Sequence, residues 1–211
     1  MVETGKKRLR VAVGVSGGGR SLVNLLKEQA KHSYEIVLVF SSSKDIPAND
    51  LARSAGIPLV IEDFSMKNRV AAAMTLYGAL QRYSVDLVVL AGFLKLMPMD
   101  PAWSGKIINI HPALLPKFGG KGMHGHHVHE AVLESGESHS GASVHLVNER
   151  YDEGAIISQA TVLVLKEDNV ESLAARVFAA ECKLLPWTID AMAQGELPAA
   201  TVAQLHVTHE V

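Results

Sequence analysis

Cysteine is nearly missing from this sequence: Cys182 is the only one in 211 residues. A single cysteine excludes an internal disulfide framework and suits a reducing compartment. An excess of one charge is missing too, since 20 Lys and Arg stand against 22 Asp and Glu for a net charge of -2. That balance leaves no basic footprint for duplex nucleic acid. No apolar run approaches the roughly 18 residues that mark a membrane span. The opening stretch MVETGKKRLR is basic but runs straight into five apolar residues and a glycine turn, which is not the layout of a secretory signal. Internal repeats and low-complexity segments are absent. The expectation is a cytoplasmic chain with small-molecule substrates and with neither nucleic acid nor membrane as partner.

What is present is an ordinary globular composition, 48% apolar and 20% charged. The length fits one domain, which buries roughly 70% of its unfolded surface and needs no metal or disulfide to fold. Short β-branched runs at Leu9–Val15, Ile36–Phe40, Leu59–Ile61 and Leu87–Ala91 read as strands. Between them, Ser21–His32, Ile46–Ala55 and Val70–Tyr83 carry helical spacing, with Gly56 and Pro58 stopping the second. Such alternation implies parallel strands joined by right-handed crossovers, a Rossmann-like α/β sheet with helices on both faces. The second half changes character. Lys106–Ile110 reads as a strand, His127–Glu134 as a helix, Ala142–Asn148 and Ile156–Leu165 as an antiparallel pair, and Val170–Gln194 as a helix with a kink expected at Pro186 and a stop at Gly195. The tail from Glu196 has no assignment.

Two places carry chemistry. Gly17-Gly18-Gly19-Arg20-Ser21 lies between a strand and a helix, where backbone N–H groups and a helix N-terminus hold anions. Ser21 is a candidate cap for that helix. The dinucleotide fingerprint is incomplete: Leu22 replaces its third small residue, and Ser41-Ser42-Ser43 follow the second strand where an acid is required. A Walker lysine is also missing, which leaves phosphate binding of another kind or a plain tight turn. The second place is Asn109-Ile110-His111-Pro112 at the end of a buried strand. Ligands of open α/β sheets bind outside the carboxyl ends of the strands. Alternate spacing lets Asn109 and His111 point the same way, one as donor to a developing oxyanion, the other as proton carrier. Pro112 fixes the chain there and is a candidate for a cis bond. Asp152, in a turn before Gly154, is either a structural turn residue or the carboxylate that orients the imidazole and raises its pKa.

Taken together, Ser16–Ser21, Leu90-Ala91-Gly92-Phe93-Leu94-Lys95, Asn109–Pro116, Gly141-Ala142-Ser143-Val144-His145 and Asp152-Glu153-Gly154 resemble, in that order, the folate-dependent phosphoribosylglycinamide formyltransferases of purine synthesis. The resemblance runs from about Val11 to Leu197. It implies a single formyltransferase domain over 1–211, with a phosphate-binding half over about 9–105, a catalytic and folate-binding half over about 106–197, and a tail over 198–211. It further implies 10-formyltetrahydrofolate as co-substrate, glycinamide ribonucleotide as acceptor, no metal, no covalent enzyme intermediate, and a monomer or homodimer. Asn109 would stabilise the tetrahedral oxyanion, His111 would serve as imidazolium and proton donor, and Asp152 would hold that charge. Gly19, Arg20, Ser21, Leu22 and Glu181 match substrate and phosphate positions. Phe93, Leu94, Lys95, Leu96, Met97, Asn109 and His145 match the folate region, with Arg69 as a basic residue for its tail. The chain departs from many members at Gly-Arg-Ser, where they have Gly-Ser-Asn, and at Phe178, where some carry a basic or polar residue. Read without the resemblance, Phe93 and Leu96 are core candidates, Lys95 and Glu181 solvated charges, and His145 a strand residue. Other readings on the same scaffold are formylation of a different amine, such as an amino-sugar nucleotide or aminoacyl-tRNA, and a non-enzymatic ligand sensor.

His124, His126, His127 and His129 crowd one segment after Gly120-Lys121-Gly122-Met123. Zinc is the competing reading, but the spacing is not HExxH, no Cys is near, and Glu130 is the only close carboxylate. A mobile substrate loop is preferred, with His124 and His129 nearest the substrate.

Overall fold

The computed structural model describes residues 8–196 and 203–206. The strands are β1 (Leu9–Val15), β2 (Tyr34–Ser41), β3 (Leu59–Ile61), β4 (Leu87–Leu90), β5 (Ile107–His111), β6 (His139–Leu146), β7 (Ile156–Leu163) and β8 (Ala203–His206). The helices are α1 (Arg20–Glu28), α2 (Pro47–Ser54), α3 (Arg69–Arg82), α4 (His126–Ser135) and α5 (Val170–Gln194). The strands form one sheet in the order β3-β2-β1-β4-β5-β6-β7-β8. Pairing is parallel from β3 through β5, antiparallel for β5–β6 and β6–β7, and parallel for β7–β8. The expected mostly parallel α/β sheet with an antiparallel extension is therefore present. The tail, unassigned from sequence, adds β8 at the edge.

Period-two side-chain alternation sorts the strands between two apolar layers. Val11, Val13, Val15, Leu87 and Val89 face α1, α2, α4 and α5, while Ala12, Leu38, Phe40, Val88 and Leu90 face α3 and the Phe93–Trp103 connection. Burial on both faces explains why β4 has no polar residue. α5 places Leu173, Val177, Ala180 and Leu184 on its buried face. A capping box of Asn169 and Ser172 starts it, Gly195 in the left-handed region ends it, and it runs helical on both sides of Pro186.

The chain leaves β1 toward β2 on one side and returns by way of α3 to β4 on the other. The strand order thus reverses between β1 and β4, and a crevice opens at their carboxyl ends. Hydrogen bonds lace that crevice: Ser16 N–H donates to the Gly92 carbonyl at 3.0 Å, and Leu94 N–H donates to Ser16 Oγ at 3.0 Å.

Candidate active site

β5 ends beside the crevice and brings Asn109 and His111 to it. β6 lies antiparallel to β5 and sets His145 directly across from Asn109. The connection after β6 then doubles back, with Asp152 at a positive φ of 58°. Glycine is required two residues later: a Cβ at Gly154 would stand 1.6 Å from the Leu146 carbonyl oxygen. That close approach folds the connection over β6 and carries the Asp152 carboxylate to both strand ends.

Asp152 Oδ2 lies 3.5 Å from His111 Nδ1, and its Oδ1 lies 3.4 Å from His145 Nε2. Gly120 N–H donates to Oδ2 at 2.9 Å, and the Asn109 amide donates to Oδ1 at 3.4 Å. The same amide nitrogen is 3.0 Å from His145 Nε2. His111 Nε2 faces the Phe118 carbonyl at 2.8 Å, which only accepts, so the neutral ring keeps its proton on Nε2 and takes up a second at Nδ1, beside Asp152. His145 Nδ1 likewise faces the Leu146 carbonyl at 2.8 Å. The four side chains named by the sequence thus meet although 43 residues separate Asn109 from Asp152.

Burial bears directly on His111. Only 3% of the residue is exposed, and burial pulls its pKa below the usual imidazole value. Asp152 and the Phe118 carbonyl oppose that shift without overcoming it. Burial raises the Asp152 pKa, but His145, His111 and the Gly120 amide outweigh it and hold the carboxyl below its usual range.

A cleft of about 400 Å³ opens over Asn109, His111 and Asp152, and Gly120–Gly125 line it too. At one end it shares Ser21, His124 and Glu181 with a second hollow of about 380 Å³ over Gly17–Ser21. At the other it shares Phe93, Asn109, Tyr151 and Asp152 with a smaller one lined by Lys95, Leu96, Met97 and His145. The result is one groove with the Asn109–Asp152 cluster at its middle.

At the first end, Gly19 caps α1 at φ 76°, and the first helical bond runs from Val23 N–H to the Gly19 carbonyl. The N–H groups of Gly19, Arg20, Ser21 and Leu22 precede that bond and have no helical acceptor, the arrangement that binds anions. Ser21 sits inside the helix and makes no side-chain cap, contrary to expectation. Leu22 is fully buried, so it offers only its backbone. At the other end, Phe93 and Met97 are core, with Phe93 edge-on to Phe40 and Phe64. Leu94, 46% exposed, leaves apolar surface on the groove, its N–H already held by Ser16 Oγ, and Lys95 and Leu96 lie outside the sheet ladder. An apolar shelf bordered by loop backbone suits a flat ring with a polar rim. Arg69 begins α3 and does not line this groove.

The Gly120 N–H, the Phe118 carbonyl and Tyr151 were not singled out from sequence. Gly119 offered a weak signal, since a Cβ there would press on Asp152 at 3.1 Å. Of the histidines, His124, His126 and His129 line the groove, while His127 is exposed and pairs with Glu130 at 3.2 Å. Among the described residues no cluster of three or more His, Cys, Asp or Glu is arranged to hold a metal. The cis peptide among them is Leu115–Pro116, not the bond before Pro112.

Comparison with known proteins agrees with this fold. The formyl transferase family model matches residues 9–189. The chloroplastic phosphoribosylglycinamide formyltransferase of Arabidopsis thaliana is 41% identical over 196 residues, covering 89% of this chain and 66% of the relative. The human trifunctional purine biosynthetic protein adenosine-3 is 39% identical over 195 residues, 90% of this chain and 19% of that protein. The chain thus spans just under two thirds of the plant relative and about a fifth of the human one. Among solved structures, the Brucella melitensis phosphoribosylglycinamide formyltransferase superposes with a TM-score of 0.79 at 36% identity, covering 92% of this chain and all of that one. The Coxiella burnetii enzyme gives 0.81 at 33% identity, covering 89% and 88%. The chain belongs to the formyl transferase family and groups there with the phosphoribosylglycinamide formyltransferases.

Proposed function

We propose that this protein transfers a formyl group from 10-formyltetrahydrofolate to the amine of 5-phosphoribosylglycinamide, a step of purine biosynthesis. The convergence of Asn109, His111 and Asp152 midway along a groove, between an anion-binding end and an apolar end, carries this reading. The phosphate of the acceptor would take the Gly19–Leu22 N–H groups, with Glu181 beside them. The folate would take Leu94–Met97 and His145. On this division residues 9–105 chiefly bind phosphate, and 106–197 chiefly serve catalysis and folate.

When bound, 10-formyltetrahydrofolate supplies a formyl carbon open to attack by the acceptor amine. A C–N bond to the amine forms, the bond to the folate nitrogen breaks, and the amine proton finishes on that nitrogen. Asn109 supplies a fixed amide. Its short contact to His145 sets the orientation, and its long 3.4 Å contact to Asp152 is the one a formyl oxygen can replace as negative charge builds there. His111, neutral beforehand, accepts a proton at Nδ1, where the Asp152 carboxylate stabilises the cation. Phe118 and Gly120 hold the two partners in register. Cys182 has no part: burial raises its thiol pKa, which disfavours the nucleophilic thiolate.

The test is a spectroscopic assay of tetrahydrofolate release with and without phosphoribosylglycinamide. Release that depends on the acceptor, and that survives dialysis against a chelator, is the expected result. Release that is equal without acceptor overturns the proposal. Formylation of another amine is not favoured by the relatives. No helix of the described residues is long and apolar enough to cross a membrane. The proposal includes a cytoplasmic location and a monomer or homodimer, which cell fractionation and sedimentation check.

A further inference from the structure

For the Phe118 carbonyl to meet His111 Nε2, the chain must double back within seven residues of the end of β5. The sheet ladder does not hold that turn. Two polar side chains from the neighbouring strands do. His111, Ser143 and Gln159 stand in one row across β5, β6 and β7, each directly opposite the next. Residues paired in this way project from the same face of a sheet. Ser143 is fully buried; its hydroxyl donates to the Ala113 carbonyl at 2.7 Å and accepts the Leu115 N–H at 3.0 Å. Gln159 Nε2 donates to Ser143 Oγ at 2.8 Å and to the Leu115 carbonyl at 3.0 Å. A serine hydroxyl offers one donor and two acceptor sites, and a glutamine amide nitrogen offers two donors. All five are engaged, so neither group can rotate or flip without losing a bond. A buried polar network satisfied in this way admits one arrangement and stiffens what it binds.

Leu115 passes that stiffness on. Its N–H and its carbonyl are both held by the bracket, and its side chain, 5% exposed, abuts Gly119. A Cβ at Gly119 would stand 2.6 Å from Leu115 Cδ2 and 3.1 Å from Asp152 Cβ. The residues on either side of Gly119 hold the two reacting partners: the Phe118 carbonyl meets His111 Nε2, and the Gly120 N–H donates to Asp152 Oδ2. Leu115 is thus a shim beneath the segment that touches both. Gln159, with both donors taken by Ser143 and Leu115, reaches His111 by way of this turn.

We propose that Gln159 is a positioning residue for the formyl transfer: through Ser143 and Leu115 it fixes the Phe118 carbonyl, which holds the His111 ring at Nε2 and aims Nδ1 at Asp152. The inference rests on the reaction assigned above, but its first test needs no turnover. In the full chain labelled with ¹⁵N-histidine, the His111 Nε2–H signal is assigned by its loss in His111→Ala. Gln159→Met keeps the length of the side chain and removes both donors. Exchange of that ring proton with water is expected to be slow in the wild type and about tenfold faster or more in Gln159→Met, as local opening of the turn becomes easier. In the formyl-transfer assay the same variant is expected to lose about tenfold to a hundredfold in kcat, the size of an ångström-scale misplacement, with KM for either substrate nearly unchanged. Ser158→Ala is the control for general destabilisation, since Ser158 lies on the other face of β7 and bonds to Thr188 on α5 at 2.6 Å. It should lower Tm and leave both the ring exchange and kcat as they are. Gln159→Glu, of the same shape, carries the test should Gln159→Met fail to fold. Slow ring exchange with normal kcat in a folded Gln159 variant overturns the inference, as does ring exchange quickened equally by Ser158→Ala. A wild-type chain that forms no formyl product while Gln159 still governs the ring exchange overturns the assigned reaction and leaves the positioning of His111 standing.

Discussion

His111 gives the site its pH dependence. In the proposed reaction the ring accepts a proton only when neutral, and folding lowers its pKa from 6.5. Activity is therefore complete above that value, and kcat/KM falls as pH drops through the lowered folded value. Asp152→Asn removes the charge that opposes burial, so the acid limb of the surviving activity moves to still lower pH; a pH profile showing the limb move upward would deny Asp152 its electrostatic role. His111→Ala is expected to keep the fold by circular dichroism and to lower kcat by about 10²- to 10⁴-fold, the range of a lost general base. Near-normal turnover in that variant removes His111 from the chemistry. The side-chain half of this site was legible because it uses rare residue types at informative spacings: Asn109 and His111 in alternation at a strand end, Asp152 in a turn ahead of a glycine. The backbone half was not. The Phe118 carbonyl and the Gly120 N–H are groups that nearly every residue carries, so no residue type marks them. The downward pull of burial on His111 was illegible for a related reason, because desolvation depends on everything packed around the ring.

At the scale of elements, local chemistry decided which boundaries could be read. α5 lies where its spacing and stop signals put it, over Val170–Gln194, because cap, apolar face and terminal glycine agree. α1 ends at Glu28 instead of His32, and Gln29–Lys31 tighten into a 3₁₀ turn in which Gln29 Oε1 accepts the Ile36 N–H at 3.0 Å. β6 begins at His139, three residues before the apolar alternation does. It does so because Gly141 lets the Ala160 carbonyl approach to where a Cβ would be 2.0 Å away, a fit that leaves no hydrophobic pattern. The entry to α5 carries a prediction of its own. Arg176 forks onto Asp168 at 2.6 and 2.8 Å, and Leu165 N–H and Ser172 Oγ also donate to that carboxylate. The Arg176 guanidinium, joined by these donors, holds Asp168 well below the usual carboxylate range. With a depressed folded pKa, this stability is fully present above 3.8 and is lost as pH falls from there through the lowered value. Asp168→Asn is expected to cost about 3 kcal/mol at pH 7, as when one partner of a desolvated, hydrogen-bonded ion pair is removed. Thermal melts should show a gap from wild type that is steady above pH 4 and begins to close only in the more acid range. A gap that closes near neutrality would point to another group.

At the scale of the whole molecule, the groove belongs to neither half of the chain alone. Its anion end hangs on β1 and α1, its centre on β5 and the turn after β6, and its apolar end on the connection after β4, all joined in one sheet. Ligands at either end should therefore stabilise the same cooperative unit. A ligand that binds only the folded chain adds about 2.7 kcal/mol at a concentration of 100 Kd. For a chain of this size that is a rise in Tm of about 5–11 °C. The segment Gly120–Gly125 lines the central cleft, supplies the Gly120 N–H to Asp152, and contains three glycines at positive φ, so ordering it costs conformational entropy. Part of that cost is shared between the two ligands of the proposed reaction, since His124 and Gly125 also line the hollow over Gly17–Ser21 while Gly120 braces the Asp152 carboxylate. Whichever ligand binds first fixes the segment for the second. The expected result in differential scanning calorimetry is that a non-reacting folate analogue and ribose 5-phosphate together raise Tm by more than the sum of their separate shifts. Cross-titration should show each tightening the other by the same factor, as linkage requires. Strictly additive shifts would mean that the two ends of the groove are ordered independently and that Gly120–Gly125 does not couple them.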